Sequence, residues 1–297
     1  MTTINQHLAK HYHKYQLIGL LIGFLIASFS IAAQETFTAS QKGKGPAILF
    51  IPGLMSDSSV WDDFAEQFEQ AHQVHQISIA GFAGSAPIEN WSIDRVVGEV
   101  ARYIAENDLQ APLIVGHSLG GFIALKLAVD YPQAVGKVVS VDGLPFLSPI
   151  FTRDPQTKAE DMRQRAEQMR QYYAALSPGQ VRESTRNGVY IQARNEEAQE
   201  KILAMAERSD PRTVGIAISE LMTTDLREDL TTTQTPILVL GASGAFSSEQ
   251  EHQFAERLYQ QQVSQAPTAK LVMNRDARHF MMWEAPEWVA SQIASFM

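Results

Sequence analysis

Six short runs of apolar, β-favouring residues recur along this chain, and each stops at a turn signal. They are AILFIPG (47–53), VHQISIAG (74–81), PLIVGHS (112–118), KVVSVDG (137–143), PILVLGA (236–242) and AKLVMNR (269–275). Several are apolar on consecutive rather than alternate positions, as expected of strands covered on both faces. Amphipathic stretches lie between them, over residues 60–69, 93–107, 120–130, 248–261 and 286–296. Such alternation constrains the chain to an α/β fold: a doubly wound, mostly parallel sheet with right-handed crossovers.

The alternation fails between residues 145 and 224, where roughly eighty residues read as helix only. TKAEDMRQRAEQMRQYYAAL sets Met162, Ala166, Met169 and Tyr173 in one stripe, which fits core packing better than a substrate pocket. NEEAQEKILAMAERS follows Asn195, a good N-cap, and DPRTVGIAISELMTT opens with Asp210 as N-cap and Pro211 as the first helical residue. A helical insertion over about 146–224 must sit over one end of the sheet. Ligands of open α/β sheets bind at the carboxyl ends of the strands, so the insertion is expected to be a lid.

Residues 1–33 stand apart from this pattern. MTTINQHLAKHYHKYQ carries Lys10 and Lys14 and no acid, LIGLLIGFLIASFS supplies an apolar core, and small residues follow in SIAAQ. That is the order of a secretory signal peptide, with cleavage expected after Ala33 and Ala32 as a near alternative. The rival reading is an uncleaved anchor, since the apolar run is near the lower limit for a span. The expectation is therefore an exported protein, periplasmic or secreted, that touches a membrane only if the segment stays on. Loss of the leader moves the formal charge from −9 to −11, and no basic block occurs anywhere. Nucleic acid is excluded as a partner for such a surface. The chain has no cysteine, so neither disulfides nor a lipidated cysteine contribute. Residues 34–297 suit one domain carrying the insertion.

Within that domain, GHSLG places Ser118 between two glycines where a strand turns at once into a helix. Serine is a weak helix former and each glycine costs backbone entropy, so local propensity does not explain the choice. Chemistry does. Gly-x-Ser-x-Gly between strand and helix is the nucleophile-elbow arrangement, which lifts Ser118 to the carboxyl edge at a helix N-terminus. The backbone N–H of Leu119 then faces an oxyanion forming on a substrate, and Leu54, after Pro52-Gly53, supplies the second donor.

A serine hydroxyl needs a base. Of the histidines beyond the leader, His72 and His75 precede or open a strand and His252 lies in a polar helix; all three read as solvated surface. His117 adjoins Ser118 and should point away from its side chain. His279, in RDARHFMMWEAPEW, sits in a loop after the last strand, on the same edge as Ser118, and is the candidate base.

PGLMSDSSVW, GHSLGG and RHFMMWEAPEW together resemble the α/β-hydrolase superfamily over essentially all of residues 34–297. Where that family's oxyanion loop often begins His-Gly, this chain has Pro52-Gly53. The resemblance implies a Ser-acid-His order, a serine nucleophile and no cofactor. Most relatives carry an aspartate just beyond the strand that here reads PILVLG, but this chain continues ASGAFSSEQ, with no acid before Glu249. Two aspartates can serve instead. Asp142 ends the strand after the nucleophile helix, as in some lipases and the dehalogenase branch. Asp225, in MTTDLREDL, is the alternative and fits a structural role better.

The expected activity is carboxylic ester hydrolysis on small or medium acyl esters through Ser118, His279 and Asp142. Lactonase, amidase, carbon–carbon hydrolase or cofactor-free peroxidase chemistry, or a slow-turnover binding protein, are the alternatives on the same fold. No metal-ligand spacing and no phosphate loop is present, so no metal or organic cofactor is expected, and the partner is a small ester-like molecule. Pro145, Phe146, Leu147 and the methionines of the insertion would suit an apolar acyl site, or equally ordinary core.

Overall fold

A computed structural model describes residues 35–297; the expected signal peptide lies outside the described residues. The described chain opens with β1 (Phe37–Gly43) and β2 (Ala47–Ile51). A helical stretch follows whose central turn is α1 (Asp62–Ala65), and then β3 (Gln73–Ile79) and α2 (Ile93–Glu106). The middle of the sheet is β4 (Leu113–His117), α3 (Leu119–Asp130) and β5 (Lys137–Val141).

Six helices come next: α4 (Ser148–Thr152), α5 (Ala159–Ala174), α6 (Pro178–Arg186), α7 (Val189–Gln192), α8 (Glu196–Glu207) and α9 (Pro211–Thr223). The chain then returns to the sheet through β6 (Ile237–Ala242), α10 (Glu249–Val263) and β7 (Ala269–Asn274). It closes with α11 (Met281–Glu284) and α12 (Pro286–Phe296).

The seven strands form one sheet in the order β1-β3-β2-β4-β5-β6-β7, parallel except for β1, which pairs antiparallel with β3. Successive residues of a strand point to opposite faces, and the core divides accordingly. Ile48 and Phe50 join one hydrophobic cluster, Leu49 and Ile51 the other. Strands buried on both faces explain the consecutive apolar residues.

Three features differ from the sequence expectation. β1 is not expected, because in FTASQKG only Phe37 is buried and an edge strand needs no apolar alternation. That strand covers β3, so His75 is fully buried rather than solvated, facing Gln41 across the ladder and Tyr103 Oη at 2.8 Å from its Nδ1. The helix expected over 60–69 is divided into short turns, with 3₁₀ winding over Ser58–Trp61 and Glu66–Phe68. The tighter winding brings Trp61, Phe64 and Phe68 within 5.1–6.1 Å of the Phe50 ring.

The stretch from β5 to β6 is helical, as expected. Asn195 caps α8 through Glu197 N, and Asp210 caps α9 through Thr213 N at 2.8 Å. Met162, Ala166 and Tyr173 are buried where α5 packs on α9. Gly215 permits that approach: a Cβ there would stand 2.7 Å from the Arg170 carbonyl oxygen.

Candidate active site

The parallel register sets the site's spacing. His117 pairs with Val141, so the next residues, Ser118 and Asp142, leave the sheet from neighbouring strand ends. Ser118 N–H donates to Val141 O (3.0 Å) and Asp142 N–H to Leu240 O (2.7 Å), which fixes both backbones. The turn at Ser118 is sharp, with φ 52° and ψ −114°. It requires its flanking glycines: a Cβ on Gly116 would lie 2.0 Å from Gly120 O, and one on Gly120 2.2 Å from Ile51 O.

Ser118, Asp142, His279 and Leu54 line one cavity of about 920 Å³. Of the eight described non-glycine residues with positive φ, four line it: Met55, Ser118, Asp142 and Arg153. Backbone strain concentrates where side chains must be aimed against local preference. Leu119 is the first residue of α3, and among the described residues neither its N–H nor that of Leu54 meets an acceptor. Free N–H groups at a helix start and a turn can receive a developing negative charge.

His279 Nδ1 lies 2.6 Å from Asp142 Oδ2. The other carboxylate oxygen, Oδ1, accepts from Ala242 N–H and from Tyr259 Oη–H, both at 2.7 Å. Asp142 is thus held on both oxygens, and its Oδ2 is left to orient the imidazole. Burial, reinforced by the Asp142 charge, pushes the Tyr259 phenol well above its ordinary range, so it stays a donor. Tyr259 has no counterpart in the sequence reading; nothing in the spacing of α10 marks it.

Asp225 is placed elsewhere. It binds Arg227 through Nε (2.9 Å), Nη2 (2.6 Å) and backbone N–H (3.0 Å), and Arg227 reaches on to Pro155 O and Thr157 O. His117 leans toward the other histidine, with Nε2 3.0 Å from His279 O and ring centroids 4.5 Å apart. Burial, and then the neighbouring His279, hold the His117 imidazole well below its usual range, so it remains neutral. His252, expected at a solvated surface, is half-buried with Nδ1 2.8 Å from Ser243 Oγ.

The insertion is strapped to the histidine loop. Arg278 Nη1 donates to Tyr190 O (2.6 Å) and Ala193 O (3.2 Å), and Phe280 N–H to Gln192 O (2.9 Å). Glu284 accepts from Arg278 N–H (2.8 Å) and from Arg194 N–H. Pro145, Phe146 and Leu147 do not line the cavity, and Met162, Met205 and Met222 are buried core, so the core reading holds for them. Among the described residues no three His, Cys, Asp or Glu side chains are grouped to hold a metal.

The sequence profile described as "Alpha/beta hydrolase family" matches residues 48–292. A segment is 33% identical over 109 residues to the dihydrolipoyllysine-residue acetyltransferase component of the acetoin cleaving system of Cupriavidus necator, covering 36% of this chain and 29% of that protein. Another match is 27% identical over 104 residues to the pimeloyl-[acyl-carrier protein] methyl ester esterase of Vibrio vulnificus, covering 35% and 39%. The matches thus span well under half the length of these curated relatives. Among solved structures, a Pseudomonas aeruginosa hydrolase superposes with TM-score 0.71 at 19% identity, covering 88% of this chain and 93% of that one. A thermophilic esterase from Thermogutta terrifontis superposes with TM-score 0.68 at 22% identity, covering 87% and 92%.

Proposed function

Because the chain belongs to the alpha/beta hydrolase family, we propose that it is a serine hydrolase that cleaves carboxylic esters through an acyl-enzyme. The observation that carries this reading is the 2.6 Å contact of His279 Nδ1 with Asp142, in a cavity shared with the strained Ser118. With Nδ1 engaged, Nε2 is the imidazole atom left for the reaction. Ser118 Oγ attacks the ester carbonyl while Nε2 takes its proton, and the carbonyl oxygen becomes an anion facing the Leu54 and Leu119 N–H groups. Collapse breaks the carbon–oxygen bond to the alcohol, which leaves with the proton from Nε2. Water then attacks the acyl-serine, again giving its proton to Nε2, and the acid departs as Ser118 is restored.

Asp142 stabilises the imidazolium in both halves, and Tyr259 and Ala242 keep its second oxygen occupied. We also propose export through residues 1–33. The test of the chemistry is Ser118→Ala. Nitrophenyl ester turnover should fall by several orders of magnitude at unchanged melting temperature, as for a triad acting as a unit. Retention of more than about a tenth of the activity would place the chemistry elsewhere.

A further inference from the structure

The cavity holding Ser118 runs along one face of α10, where Phe254, Ala255 and Leu258 line it at helical spacing. Ile150 of α4 and Phe246 of the loop after β6 belong to the same lining. Between Gly241 and Phe246 that loop carries only small side chains, Ala242, Ser243, Gly244 and Ala245. It can do so because the carboxylate facing His279 comes from β5, leaving the end of β6 free of charge.

Part of the apolar lining is unpartnered, whereas polar lining residues such as Glu251 and the Arg278 Nη1 are engaged. Ile150, Ile191, Phe246 and Phe254 belong to neither hydrophobic core cluster among the described residues. Three of them stay 39% (Ile150), 46% (Ile191) and 40% (Phe246) exposed. By contrast, Glu251 accepts from Ser248 N–H (3.1 Å) and Oγ–H (2.7 Å), and Arg278 donates to two backbone carbonyls. Apolar surface continuous with the reacting serine and left uncovered by the fold is surface that a bound ligand covers.

We propose that this arm along α10 is the subsite for a linear hydrocarbon chain of the substrate, which makes medium-chain esters, not acetates, the preferred class. This rests on the ester-hydrolase reading. Burial of each methylene should raise kcat/KM by about fourfold until the arm is full. The chain can belong to the acyl or the alcohol half of the ester, and two series separate these. Nitrophenyl acetate, butyrate and octanoate lengthen the acyl side; ethyl, hexyl and decyl acetate lengthen the alcohol side.

One series should rise steeply, by about 250-fold over four methylenes. Phe254→Asp, and Ala245→Trp in the loop, should cut the long-chain ester by at least about tenfold and change the shortest by less than about twofold; Phe254→Ala does the same more mildly without adding charge. Titration calorimetry with ethanol, hexanol and decanol reads the arm without turnover: decanol should bind most tightly to the wild type and lose that advantage in Phe254→Asp. If no ester turns over but decanol binds in this way, the arm stands and the ester chemistry is lost. The proposal is overturned if both ester series are flat and decanol binds no better than ethanol, or if the variants lower every chain length alike.

Discussion

Asp142 is unusual in what surrounds it: a positive φ, one oxygen on His279 and the other accepting from Ala242 N–H and Tyr259 Oη–H. Asp142→Asn keeps the shape but removes the charge and favours the wrong imidazole tautomer. kcat should fall by up to about 10⁴ with little change in Tm. Asp225→Asn should do the reverse, lowering Tm while leaving kcat, because it weakens the clasp that joins Arg227 to Pro155 and Thr157. Tyr259→Phe keeps the ring and deletes one donor to a charged oxygen, an effect of about tenfold or more in kcat. Its diagnostic readout is the split between the constants: kcat should fall with KM and Tm nearly unchanged, whereas a role in packing alone would lower Tm and spare kcat.

Elements defined by their own periodicity are legible in the amino-acid sequence: the six strands β2–β7, α12 to the residue, and the Asn195 and Asp210 caps. Ser118 and His279 stand out as candidates because an elbow and a terminal loop are local signals; the choice of Asp142 over Asp225 leans on the family resemblance, and it is Asp142 that the structure sets against His279. What is not legible depends on neighbours. β1 has almost no buried face, so nothing in FTASQKG announces it, and without it His75 cannot be read as interior. Tyr259 becomes meaningful only when α10 lies beside the end of β5.

Glu220 on α9 makes the same point. It accepts from Ile93 N–H (2.6 Å) at the start of α2, and burial, with Asp94 nearby, holds its carboxyl above the usual range. A raised folded-state pKa gives stability that is complete below the unfolded value and lost as pH rises through the folded one. Glu220→Gln should therefore match the wild type in Tm in acid and exceed it increasingly as pH rises toward neutrality; a gap that is constant with pH would contradict this.

For the whole molecule, the cavity lies between the sheet edge and a helical insertion that is tied to the histidine loop at Tyr190–Arg194. The insertion therefore helps to hold the imidazole as well as to wall the cavity. The proposed export through residues 1–33 has a test of its own. Mass spectrometry of the protein from its host should find an N-terminus near Gln34; an intact N-terminal segment in the membrane fraction would favour an anchor instead. The central claim, that Ser118 is the nucleophile, is tested most directly by treating the purified protein with a fluorophosphonate and mapping the adduct by peptide mass spectrometry. One adduct per chain on the peptide carrying Ser118, forming in step with loss of ester turnover and absent from Ser118→Ala, is the predicted result. Full turnover with Ser118 unmodified, or modification at another serine that tracks the loss, would contradict it.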